Sequence, residues 1–205
     1  MNSPVDNTLY SRQTMLHLFI PEHVTIVGCG GVGAWVAVYL ALSGVPVLHL
    51  CDPDRLELSN LNRLPFTPSD VGKLKTLVLR EFLEARRPDL HLFEYGLATP
   101  EVLELTEGTV LDCTDRHGTQ LFIEKWARDH DRPYIRAGYD GAHITVTNLI
   151  PEWTNGLDDT GYEIVPSWVV PASIVAALAV ARLMFAPRLT VSASIDEIYQ
   201  REEKG

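Results

Sequence analysis

Cysteine is scarce in this chain, with three residues at Cys29, Cys51 and Cys113. They are too few and too scattered for a disulfide framework, and no Cys-x-x-Cys pair is present. No structural zinc is therefore expected, and a reducing cytoplasm is the expected location. Positive charge is also short: Lys and Arg number 17 against 27 Asp and Glu, a formal net charge of -10. That excludes a uniform basic footprint for nucleic acid, so any anion site has to be built locally. The 7 histidines show neither H-x-x-x-H nor H-E-x-x-H spacing, which removes the usual helical metal motifs. Long uncharged runs are interrupted. Val24–Cys51 is broken by clustered glycines and then by Gly44 and Pro46, while Ile164–Ala181 carries Pro166 and Pro171 and is followed by Arg182. A buried helix covering a sheet explains the second run better than a membrane span, so no membrane partner is expected. Met1–Asn7 has no basic segment leading into an apolar core, so no secretory signal is expected. Internal repeats and low-complexity tracts are missing as well.

What is present suits one α/β domain spanning 1–205, with 46% hydrophobic and 21% charged residues. Apolar β-branched runs predict strands at His23–Val27, Val47–Cys51, Leu90–Tyr95, Val110–Cys113 and Tyr134–Ala137. Helical spacing predicts helices at Gly31–Ser43, capped by Gly44, at Gly72–Arg87, stopped by Pro88, and at Gln120–Asp129. Strands separated by helices imply parallel pairing. The expected fold is therefore a doubly wound, mostly parallel Rossmann-like sheet with helices on both faces. The pattern then changes. His143–Leu149 alternates and is expected to pair antiparallel, Pro171–Phe185 reads as an apolar helix, and Leu189–Ser194 as a last strand, which makes a C-terminal antiparallel extension. Residues 1–20 are expected to form a helical arm. Residues 150–165 are expected to form a surface crossover loop, flanked by Trp153, Tyr162 and Trp168, which either frame a groove for an extended peptide or pack inward.

The chemistry concentrates in a glycine loop. Gly28-Cys29-Gly30-Gly31-Val32-Gly33 fits G-x-G-x-x-G between a predicted strand and a predicted helix. The first glycine permits the tight turn, the second lets backbone approach a phosphate, and the last lets helix and strand pack closely. Asp52 ends the next strand, where a carboxylate is placed to bond ribose hydroxyls. These features suit a nicotinamide cofactor or ATP equally. Arg55, Arg63, Lys73 and Lys75 follow closely in an otherwise acidic chain and favour the more highly charged triphosphate, although Arg55 and Lys73 are better read as solvated loop and helix-end residues. Asp115, just past the fourth strand, either holds Mg2+ against phosphates or caps the following helix.

With these residues assembled, the chain resembles the ThiF/MoeB adenylyltransferases, the family that includes the ubiquitin-activating enzymes. The resemblance is an ordered series over roughly residues 10–185: Tyr10-Ser11-Arg12-Gln13, Val27–Gly33, Asp52-Pro53-Asp54, Leu58-Ser59-Asn60-Leu61-Asn62-Arg63, Val71-Gly72-Lys73-Leu74-Lys75, and Leu111–Asp115. It implies that Gly28, Gly30, Gly31, Gly33, Asp52 and Asp54 belong to the nucleotide site, and that Asp52 binds the ribose. Asn60, Arg63 and Lys75 would contact ATP phosphates and Asp115 would position Mg2+. Arg12 would reach into the site of a partner subunit, which implies a homodimer. The implied reaction is attack of a small ubiquitin-like or sulfur-carrier protein's C-terminal glycine carboxylate on the α-phosphate of ATP, releasing pyrophosphate and leaving an acyl-adenylate.

The chain also departs from that pattern. Ile150–Glu163 holds no cysteine to receive an activated chain, and the family's zinc-binding Cys-x-x-Cys pairs are missing. Arg116 stands where the family usually has Asn, and Gln120 where it usually has Arg. The expectation is an adenylating enzyme that passes its product to a separate acceptor. The same departures motivate an alternative, a degenerate scaffold or regulatory subunit that binds a carrier protein without performing the chemistry. Cys29, Cys51 and Cys113 sit at strand ends with no neighbouring His in sequence and are expected to be inert. An NAD-dependent oxidoreductase would leave Asn60–Arg63 and Lys75 without a task.

Overall fold

Two short runs rich in Val, Leu and Ile set the centre of the molecule. His23–Val27 (β1) and Val47–Cys51 (β2) are buried on both faces after their first residue, as parallel strands inside a sheet must be. In the computed structural model, which describes residues 9–141, 143–148, 166–187 and 189–194, they pair in parallel with each other, β2 pairs in parallel with His91–Tyr95 (β3) and β1 with Thr109–Asp112 (β4), and β4 pairs in parallel with Tyr134–Asp140 (β5). His143–Thr147 (β6) and Val191–Ser194 (β7) then add antiparallel. Among the described residues these strands form one sheet in the order β3-β2-β1-β4-β5-β6-β7. The expected doubly wound sheet with an antiparallel C-terminal extension is what forms. The register matters most for function: Val27 pairs with Cys51 on one side and Asp112 on the other. The chain therefore leaves β1, β2 and β4 at one level, and the three turns that follow stand side by side at one edge.

Gly31–Leu42 (α1) is apolar almost all the way round because it is buried between the sheet and Val169–Met184 (α5), which also packs on β5 and β6. Val24, Ile26, Leu48, Leu50, Leu111, Ile144, Val36, Leu40 and Val175 make the larger core on that face. His117–Asp129 (α4) covers the other face with Ile123, Trp126 and Ala127 against Val27, Cys51 and Val110. α1 ends as its glycine predicts. Gly44 takes φ +95°, its N–H donates to Ala41 and the Val45 N–H donates to Leu40, the paired bonds of a Schellman cap. No helix among the described residues is long and apolar enough to cross a membrane.

Several boundaries shift for local reasons. The second helix (α2) is Lys75–Glu84 rather than Gly72–Arg87, because Gly72 sits at φ +91° and Leu74 is extended. α4 starts at His117 rather than Gln120, with an extended Arg116 as its N-cap. A short helix, Pro100–Glu104 (α3), is additional; Thr99 caps it by accepting from the Val102 N–H, and Pro100 opens it. Of the N-terminal arm expected to be helical over 1–20, the described part, from Leu9, is not a continuous helix but holds turns and one 3₁₀ turn at Thr14–Leu16, ended by His17 at φ +51°. The crossover loop at 150–165, with Trp153 and Tyr162, lies outside the described residues. Trp168 is half exposed ahead of α5.

The face of β2 opposite α1 hides a polar group. His49, 3% exposed on β2, stacks on Phe93 and His23 and lies 3.4 Å from His23 Nδ1 and from the Tyr95 hydroxyl, with Glu107 and Arg132 around them. Burial, reinforced by His23, lowers its pKa to about 4. A histidine held neutral in the folded state favours unfolding once the unfolded chain protonates. Its contribution is whole above the ordinary histidine pKa and is lost as pH falls toward 4. Folding stability should drop by about 2 kcal/mol from this group between roughly pH 7 and pH 5. Melts across that window should show the fall, and His49→Phe should flatten it.

Candidate active site

Because β1, β2 and β4 end level, the glycine loop after β1 lies between the Asp52 turn and the Cys113–Asp115 turn. Gly28 at φ +87° turns the chain against β4, where a Cβ would stand 2.9 Å from the Cys113 carbonyl oxygen. At Gly33 a Cβ would stand 1.8 Å from the Gly28 carbonyl oxygen, so α1 meets the loop with no room for a side chain. Gly30 differs: nothing lies within 4 Å of a Cβ there, and the loop faces open space at the start of α1. That is the clearance a phosphate needs beside a helix N-terminus.

Asp52 is 6% exposed and both its oxygens accept backbone N–H groups, Oδ2 from Cys29 at 2.7 Å and Oδ1 from Asp54 at 2.8 Å. Burial raises its pKa, while Lys75 and these two bonds oppose the rise. Each oxygen retains a second acceptor direction, so loop anchoring and ribose binding are compatible. Lys75 opens α2; its ammonium pairs with Asp54 Oδ2 at 2.8 Å, and its charge is felt at both Asp52 and Cys29. Arg63 lies across the loop. A Cβ on Gly31 would meet its Cδ at 2.9 Å, while its Nη1 donates to the Ser59 carbonyl and to Asn62 Oδ1, each at 3.0 Å. Trp35 on α1 donates from Nε1 to the Arg63 carbonyl at 2.9 Å, strapping this segment to the helix. Asn60 braces the same segment by accepting from the Glu57 N–H at 3.1 Å. Arg55 and Lys73 serve the scaffold instead: Arg55 donates to the Gly72 carbonyl, and Lys73 pairs with Asp70 and Glu81.

Asp115 stands exposed at the same edge, beyond β4. Behind it is a residue that sequence reasoning did not single out. Asp112, fully buried, accepts from the Thr114 N–H at 3.0 Å, from Thr114 Oγ1 at 2.7 Å and from the Tyr134 hydroxyl at 2.7 Å. Burial raises its pKa, opposed by Thr114, Tyr134 and Arg136. Gln120, 3% exposed on α4, donates from Nε2 to the Thr114 carbonyl at 2.6 Å. The only sequence signal for this pair was the L-D-C-T-D run itself, since Gln120 registers there merely as a departure. Among the described residues no group of three or more His, Cys, Asp and Glu is placed to hold a metal. Asp115 offers a single carboxylate, a donor set that suits an ion carried largely by phosphate oxygens. Burial pushes the thiols of Cys29 and Cys113 up and that of Cys51 up to about 12, so all three stay protonated and are poor nucleophiles.

Arg12 is not with the others. Gln13 donates from Nε2 to the Ser43 carbonyl at 2.6 Å, and Arg87, 5% exposed, donates to the Tyr10 hydroxyl and the Ala41 carbonyl. Tyr10 and Gln13 thus fix the arm at the C-terminal end of α1, with the exposed Arg12 between them. The glycine loop is at the other end of this 12-residue helix, about 18 Å away.

The ThiF family model matches residues 10–178. A sulfur carrier protein ThiS adenylyltransferase of Escherichia coli (strain K12) is 33% identical over 161 residues, covering 72% of this chain and 64% of its own length. Ubiquitin-like modifier-activating enzyme 5 of Dictyostelium discoideum is 28% identical over 169 residues, covering 74% and 43%. Each relative thus extends well beyond the part that this chain spans. Among solved structures, E. coli MccB with AMPCPP and MccA superposes with a TM-score of 0.73 at 24% identity, over 87% of this chain and 63% of that one. MccB with ATP gives 0.73 at 24%, over 89% and 64%. At that identity the likeness establishes the fold.

The loop geometry separates two glycine substitutions. Gly33→Ala forces a Cβ onto backbone and should lower stability by about 2–4 kcal/mol, whereas Gly30→Ala meets open space and should stay within about 0.5 kcal/mol of the parent. Chemical denaturation of the two variants checks both.

Proposed function

The chain belongs to the ThiF family, and on that premise we propose that it is an ATP-dependent adenylyltransferase. It activates the C-terminal glycine carboxylate of a small ubiquitin-like or sulfur-carrier protein, without a catalytic cysteine of its own. The observation that carries this reading is the convergence of two cations on the glycine loop, Arg63 across Gly31 and Lys75 within electrostatic reach of Asp52 and Cys29. A triphosphate rewards that concentration of charge in a chain of net charge -10.

In this reading Gly28, Gly30, Gly31 and Gly33 shape the phosphate cradle, Asp52 binds the ribose, and Asp54 holds Lys75 at the rim. Asn60 braces the strap while Arg63 and Lys75 neutralise phosphate charge. The pair between Lys75 and the largely exposed Asp54 is worth little in water, so the ammonium can turn to a phosphate at small cost. Magnesium, where bound, would rest on Asp115 and the phosphates and supply further charge neutralisation. A carboxylate oxygen of the carrier's terminal glycine forms a bond to the α-phosphorus. The bond from that phosphorus to the bridging oxygen breaks, and pyrophosphate leaves with the electron pair. No side-chain nucleophile is required; the chain positions the reactants and stabilises charge. The three protonated thiols suit a cytoplasmic enzyme that hands its adenylate to another protein.

Arg12 completes the site from a second copy. Its own glycine loop is a helix length away, while the arm that carries it is pinned by Tyr10, Gln13 and Arg87. A homodimer supplies Arg12 in trans.

The test is carrier-dependent exchange of labelled pyrophosphate into ATP. Lys75→Ala and Asp115→Ala should each slow it about 10²-fold or more with little change in melting temperature, and Gly30→Ala should weaken ATP binding. Arg12→Ala and Lys75→Ala chains mixed as dimers should regain activity, since one site per mixed dimer is intact. A protein with no calorimetric affinity for ATP would instead be the binding scaffold that Arg116, Gln120 and the cysteine-free loop first suggested.

A further inference from the structure

Thr114 has three polar backbone and side-chain groups, and all three are held from within the fold. Its N–H and hydroxyl donate to Asp112 Oδ1 at 3.0 and 2.7 Å, and its carbonyl accepts from Gln120 Nε2 at 2.6 Å. The residue before it is fixed as well, because the Cys113 N–H donates to the Val27 carbonyl at 2.8 Å and its own carbonyl lies against Gly28. Asp112 is tied in turn to β5 through the Tyr134 hydroxyl at 2.7 Å. The next residue along the chain is Asp115. With Thr114 held by Asp112 on β4 and Gln120 on α4, and Asp112 held by Tyr134 on β5, the backbone that leads into Asp115 is fixed from within the fold before any ligand arrives.

We propose that Asp112 and Gln120 are positioning residues that clamp Thr114 and thereby fix where Asp115 stands. The proposal rests on the role given to Asp115 above. It gives Gln120 a task. A neutral amide reaches the Thr114 carbonyl from the first turns of α4 without bringing a buried cation behind the Asp115 carboxylate. Gln120 is thus a working part of the site, and its difference from the family pattern is not decay.

The experiment compares Thr114→Val, which keeps the shape and removes the hydroxyl, with Thr114→Ser, which keeps the hydroxyl, and with Gln120→Leu, all in the full chain. Calorimetry measures ATP affinity with and without magnesium, and hydrogen exchange reads the amides of residues 113–117. Removing a supporting partner of a metal ligand typically costs about 10–100-fold in metal affinity. Thr114→Val and Gln120→Leu should lose about tenfold of the affinity that magnesium adds, with little change in metal-free affinity. They should also exchange faster at 113–117, while Thr114→Ser should behave as the parent. Val110→Ala, a cavity in the adjoining core, controls for general destabilisation and should lower the melting temperature without moving the magnesium effect. Retention of the full magnesium effect and of the parent exchange pattern in both Thr114→Val and Gln120→Leu would overturn the clamp. A parent protein that binds no ATP at all would overturn the functional reading instead, and the exchange at 113–117 would then decide the clamp alone.

Discussion

The hydrogen bond from the Cys29 N–H to the buried Asp52 carboxylate is the contact on which the arrangement of the site depends. It joins the end of β2 to the loop after β1 and orients a loop whose remaining residues are mostly glycine and bring no side chains to hold it. The same carboxylate takes the Asp54 N–H, which directs the chain toward the strap that carries Arg63 and toward Lys75. A carboxylate is costly to bury, and its raised pKa records that cost. Two backbone donors and the Lys75 charge offset the cost, and the result is a loop held by electrostatics as well as by its close packing against Cys113 and α1.

A second buried carboxylate stands on the other side of β1. Asp112 pairs in register with Val27 just as Cys51 does from the opposite strand, so Asp52 and Asp112 end their strands on either side of the glycine loop. Each accepts the N–H of the residue two positions on, Asp54 in one case and Thr114 in the other. One local geometry, an aspartate at or just past the end of a parallel strand that bonds the turn after it, is thus used twice to present the candidate site residues at a common edge.

The repeated use explains what could be read from the sequence. The central strands were legible because burial on both faces leaves continuous apolar runs, and α1 because its glycines sit where only glycine fits. Gly28, Gly33 and Gly44 stand where the sequence pattern asks for a tight turn, a close approach and a helix cap, and the structure has each of them there. Asp52 could be placed at the common edge because it follows a strand, and Arg63 and Lys75 because they cluster behind it in an otherwise acidic chain and match the family's motifs. The parts that escaped depend on contacts distant in sequence. Gln120 and Thr114 meet because α4 begins one turn earlier than its apolar periodicity shows, through His117, Gly118 and Thr119, which are weak helix formers. The arm reads as helical in isolation but is shaped by Arg87 and Ser43, residues that no local pattern connects to Tyr10 and Gln13.

The arm also bears on the proposed second copy. α1 has two ends with different tasks: its N-terminus faces the open space beside Gly30, and its C-terminal carbonyls are taken by Arg87 and, just beyond the helix, by Gln13. Arg87 is itself buried and also pairs with Asp89 at 2.8 Å, so the anchor rests on a buried guanidinium rather than a chance surface contact. A helix is stiff over this length, so the separation between Arg12 and the glycine loop is fixed by the number of residues in α1 and cannot close by side-chain rotation. If Arg12 acts on the nucleotide, the distance has to be spanned by bringing in another chain. The rigidity that places Arg12 away from its own loop is also what would let it be presented accurately to a neighbour's.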